Sequence, residues 1–116
     1  MILSAQRSNP VKSNLRYAAI LGLTATLVTP AFAQDSGADT YKTKCLMCHG
    51  ADGLGMTPAG KALKAVSFKT PALIKASDVE LMTAVKNGKN KMPSYAGKLT
   101  DAQIKSVVGY IRTLQK

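Results

Sequence analysis

Ile104, Val107, Val108, Ile111 and Leu114 fall at helical spacing over the last stretch of the chain, which predicts a helix with one broad apolar face. The capping box Thr100-Asp101-Ala102-Gln103 just before them sets its start at 101 and its run to about 114. Upstream, Leu81, Met82 and Val85 supply the buried face of a shorter helix. Ser77-Asp78-Val79-Glu80 opens it and Gly88 stops it, giving residues 78–87. A third pattern repeats every four residues, Gly37, Tyr41 and Cys45, within a helix expected over 37–48 and capped by Ser36 or Asp35. Its small residue and aromatic share one face, so a close crossing with the last helix, near Gly109 and Tyr110, is expected.

Between these periodic segments the pattern fails. Residues 50–60 carry four glycines and a proline and read as a loop whose backbone lies close against a bulky neighbour. Gly53 and Gly55 superficially resemble a phosphate-binding motif, but no strand precedes them. A helical turn is expected around 61–65, and Pro71 interrupts the segment beyond it. No alternating apolar run marks a strand, so the fold class is all-α.

Residues 1–33 have a different character. Arg7, Lys12 and Arg16 form an acid-free cationic leader, an apolar stretch at 18–28 is too short to span a bilayer, and Ala31-Phe32-Ala33 offers a small-x-small cleavage site. These features predict a secretory signal, a mature domain of residues 34–116 and export to the periplasm or an equivalent compartment. A retained anchor is the weaker reading. The full chain has a formal net charge of +10. The leader holds three of the 16 basic residues and none of the six acids, leaving +7. Such an excess suits acidic partners. Export and the scarcity of stacking aromatics argue against nucleic acid. Only 83 residues remain in one domain, a length that buries little core unless something staples it.

The candidate staple is written in Cys45-Leu46-Met47-Cys48-His49. Two thiols three residues apart on a helical turn can each bond one vinyl group of a haem, while the adjoining imidazole ligates the iron. A thioredoxin-like pair would need a strand-rich context. A zinc site needs four ligands, whereas the chain has two Cys and one His. A plain disulfide would leave His49 unexplained. For a second axial ligand four methionines compete. Met47 lies inside the attachment turn, Met82 reads as helix core, and Met56 sits only seven residues past His49. Met92, followed by Pro93 in a polar loop, is best placed to approach from the opposite side.

In the order and spacing of these elements the chain resembles the class I c-type cytochromes, in particular their short bacterial branch. The match comprises Gly37-x3-Tyr41-x3-Cys45, Cys45-x2-Cys48-His49, Met92-Pro93 and Val107-x2-Tyr110. The resemblance implies a covalent haem c and its iron, thioethers at Cys45 and Cys48, axial ligands at His49 and Met92, and α-helices crossing at Gly37/Tyr41 and Val107/Tyr110. It also implies a proline carbonyl accepting from the proximal imidazole, with Pro58 as candidate. The expected protein is a monomeric one-electron carrier, not an enzyme, and has no membrane span after cleavage. Lys86, Lys89, Lys91 and Lys98 form either a basic rim for acidic redox partners or an ordinary solvated face. The alternatives are a haem sensor or peroxidase with an open sixth position, and a haem subunit of a respiratory complex.

Overall fold

Local capping chemistry sets most of the helix boundaries. The computed structural model describes residues 36–116, so the expected signal and its cleavage after Ala33 lie outside the described residues. Six helices occupy that span and no strand does: α1 Gly37–Lys44, α2 Leu46–His49, α3 Pro58–Leu63, α4 Pro71–Lys75, α5 Asp78–Asn87 and α6 Asp101–Leu114. The capping boxes of Ser77/Glu80 and Thr100/Gln103 are formed as expected. Ser36 caps α1 by accepting from the Asp39 N–H.

Three expectations change. The helix expected over 37–48 breaks at Cys45, whose φ of −118° leaves the helical range although its N–H still reaches the Tyr41 carbonyl. Prolines 58 and 71 start helices. Each occupies a first position, where no intrahelical N–H is needed, behind Thr57 or Thr70. Gly109 is exposed with open space around it, so it takes no part in the crossing.

Gly37 makes the crossing instead. A side chain there would collide with the Ser106 carbonyl of α6, so α1 and α6 meet backbone to backbone. Around that contact Tyr41, Cys45, Phe68, Val107 and Ile111 form one core cluster. Leu81, Val85, Ile104 and Val108 form a second between α5 and α6. Ile104, Val107 and Val108 are almost completely buried, each contributing about 1.5–3 kcal/mol through burial. Leu73 packs against both clusters.

Arg112 holds the segment bearing Leu73. Its guanidinium donates to the carbonyls of Leu73 and Ala76 and pairs with Asp78 at 2.8 Å. Those carbonyls belong to the end of α4, where no further intrahelical N–H is available, so an arginine on α6 supplies the missing donors.

Candidate haem site

Two hydroxyls hold the attachment turn. Tyr41 Oη donates to the Gly50 carbonyl at 2.6 Å, just beyond His49. Thr57 Oγ1 donates to the Met47 carbonyl at 2.6 Å and lies 3.1 Å from that of Cys48, while accepting from the Gly60 N–H to cap α3. Thr57 thus satisfies two carbonyls that the short α2 helix leaves without partners. Gly60 lies so close that a side chain would strike the Cys48 carbonyl.

The glycine-rich loop completes this support. Gly53 abuts the Phe68 ring and Gly55 the Ala65 backbone. Backbone bonds from Gly55 to the His49 carbonyl and from Phe68 to the Gly53 carbonyl, each 2.9 Å, return the chain to the attachment turn. Phe68 then stacks on His49, with ring centroids 4.6 Å apart.

Cys45 and Cys48 are free thiols. Burial, reinforced by the neighbouring Cys48, pushes the Cys45 thiol up to about 11, so it keeps its proton at neutral pH. Burial lowers the His49 pKa, and a backbone hydrogen bond with Val66 opposes that only in part. The imidazole is therefore neutral at pH 7, as a metal ligand must be. Pro58 sits at the start of α3. His49 Nδ1 is buried without any hydrogen-bond partner.

Met92 is half-buried against the second cluster, with Met82 beside the same residues. A tight turn in which Lys89 and Met92 exchange both backbone hydrogen bonds presents it, with Asn90 in the left-handed region at φ 53°. The next residues are fastened to the end of α5: Ser94 Oγ donates to the Lys86 carbonyl at 2.7 Å, and the Tyr95 and Ala96 amides donate to Val85 and Lys86. Tyr95 Oη donates to the Lys44 carbonyl at 2.9 Å, across 51 residues of sequence. Burial raises the pKa of that phenol, as do the nearby thiols of Cys45 and Cys48. Met47 and Met56, by contrast, are 76% and 62% exposed.

This donor set fits a haem: two unpaired thiols on one turn, a neutral imidazole with an unpartnered buried nitrogen, and a thioether on an anchored loop. The profile of a family described as "Cytochrome C oxidase, cbb3-type, subunit III" matches residues 32–111. The chain belongs to the class I c-type cytochromes. Like that family it carries one covalent c-type haem with iron and serves electron transport. This cytochrome is similar to cytochrome c6 of a Synechococcus strain, 37% identical over 94 residues that cover 79% of this chain and 81% of that protein. Among solved structures it is similar to the c-type cytochrome KustC0563, with a TM-score of 0.64 and 30% identity over 71% of this chain and all of that one. Cytochrome c6 of the diatom Phaeodactylum tricornutum gives a TM-score of 0.54 and 25% identity, covering 68% of this cytochrome and 90% of the diatom chain.

Sequence reasoning missed Phe68, Thr57 and the Tyr95 bond. The one available signal was Tyr95 itself, an isolated aromatic in a polar loop three residues after Met92.

Proposed function

We propose that this cytochrome is an exported one-electron carrier, with residues 1–33 as its signal and residues 34–116 as its haem domain. Cys45 and Cys48 hold the macrocycle through thioethers, and His49 and Met92 ligate the iron. When bound, the haem supplies reversible ferric/ferrous exchange. The protein's own residues do the rest. Phe68, stacked on the ring, orients the imidazole of His49. The Lys89–Met92 turn and the α5 anchors hold the Met92 sulfur in place. The observation that carries this reading is the hydrogen bond from Tyr95 to Lys44, because it ties the Met92 loop to the residue before Cys45. Two filled axial positions favour electron transfer over oxygen or peroxide chemistry.

Lys86 Nζ pairs with Asp101 at 2.8 Å, leaving exposed Lys89, Lys91 and Lys98 near Met92. In our reading these three attract acidic redox partners.

Carbon monoxide tests the ligation. The reduced wild-type protein should bind it slowly at neutral pH and Met92→Ala rapidly. Equally fast binding by the wild type would favour the sensor or peroxidase reading.

A further inference from the structure

The Met92 loop has two kinds of attachment. Ser94, Tyr95 and Ala96 bond through side chain or amide to Val85 and Lys86 at the end of α5, and Lys89 and Met92 bond to each other. These contacts set the shape of the loop and its position on α5. They do not fix how far the loop stands from the attachment turn, which belongs to the other end of the chain. Among the loop's hydrogen bonds, that from Tyr95 Oη to the Lys44 carbonyl does reach that side.

The acceptor is well chosen for this purpose. Lys44 is the last residue of α1, so its carbonyl has no helical N–H to receive, and its peptide bond leads directly into Cys45. The ring of Tyr95 packs beside Met92 against Leu81, Val85, Ile104 and Val108, which aims the hydroxyl without help from the loop backbone. Lys98 Nζ lies 5.9 Å from the ring centroid on the solvent side. The phenol thus spans from the cluster that supports Met92 to the turn that bears the two thiols.

We propose that Tyr95 is a positioning residue for the sixth ligand: its hydroxyl straps the Met92 loop to the attachment turn and limits how often the sulfur leaves the iron. This rests on Met92 being that ligand. Replacing the hydroxyl by hydrogen removes one hydrogen bond and keeps the ring in its cluster, so the open form of the loop should become roughly threefold to tenfold more populated.

Cyanide binding to the ferric holoprotein reads that population, because the incoming anion takes the position the sulfur vacates. Tyr95→Phe should retain the far-red absorption band of methionine-ligated ferric haem and bind cyanide roughly threefold to tenfold faster than wild type. Ser77→Ala, which loses the cap at the far end of α5, controls for general destabilisation and should leave the cyanide rate close to wild type. Amide exchange at Tyr95 and Ala96 supplies a second readout and should accelerate in Tyr95→Phe alone. A wild-type protein lacking the far-red band would overturn the assignment of Met92 and the strap with it. A wild type with the band, together with a Tyr95→Phe cyanide rate unchanged or matched by Ser77→Ala, overturns the strap alone.

Discussion

Gly88 offers a direct way to disturb Met92 without touching it. The residue ends α5 with φ 74° and ψ 168°, a region essentially closed to side chains, and its N–H bonds the Ala84 carbonyl. A Cβ there would stand 2.7 Å from the Met92 carbonyl oxygen and 2.8 Å from the Ser94 nitrogen. Ordinary contact begins near 3.4 Å, so the Met92-Pro93-Ser94 backbone would have to retreat by about 0.7 Å. Backbone strain costs roughly 1–3 kcal/mol and overpacking another 1–3 kcal/mol. Gly88→Ala should therefore lose about 2–6 kcal/mol, which for a domain of this size lowers Tm by at least roughly 8 °C. Gly97 is the internal control. Its φ is also 74°, yet a Cβ there meets nothing within 4 Å, so Gly97→Ala incurs the strain without the collision. Thermal melts and the far-red band of the ferric protein are the assays, with Gly88→Ala weakening the band and Gly97→Ala keeping it. Equal losses of stability in the two variants, with the band intact in both, would refute the packing argument.

Three further outcomes rest on the same geometry. Gly109→Ala should stabilise the protein by about 0.5–1 kcal/mol in a denaturant titration, because Gly109 lies within α6 with open space beside it. The Ser77 backbone N–H, donated to the Glu80 carboxylate at 2.6 Å, holds the Glu80 pKa below its ordinary range. Such a group stabilises the fold above its unfolded pKa and loses that effect as pH falls through the folded value. The gap in Tm between wild type and Glu80→Gln should accordingly narrow between pH 7 and pH 3. Finally, oxidation of the reduced protein by ferricyanide should slow as salt rises, and Lys89→Glu/Lys91→Glu should flatten that dependence; an identical salt response in the double variant would remove those lysines from the docking surface.

The parts of the fold that could be read in advance are those specified by neighbours in sequence. Ser77 with Glu80 and Thr100 with Gln103 define helix starts within four residues, and α5 and α6 begin where those boxes place them. Gly37 and Tyr41 were likewise legible as the face of a crossing, because a glycine and an aromatic one turn apart leave few other uses. Features that depend on distant partners were not. Pro58 reads as part of a loop and Pro71 as an interruption until Thr57 and Thr70 are seen to precede new helices. Gly109 has the composition of a contact residue, yet it faces outward while Gly37 alone provides the close approach. Lys86 reads as a free surface charge, and only the packing of α5 on α6 brings Asp101 to it. At the site, the five-residue attachment motif named its own donors, whereas Phe68 and Tyr95 became visible through contacts 19 or more residues away in the chain.

The most direct test of the whole account is the visible spectrum of the exported, purified protein in its oxidised and reduced forms, taken before and after extraction with acidified acetone. A single haem fixed by Cys45 and Cys48 and ligated by His49 and Met92 predicts colour that stays with the polypeptide, sharp low-spin bands on reduction and a far-red band in the ferric form. Colour that leaves with the solvent would contradict the thioethers, and a high-spin spectrum in both oxidation states would contradict the pair of axial ligands.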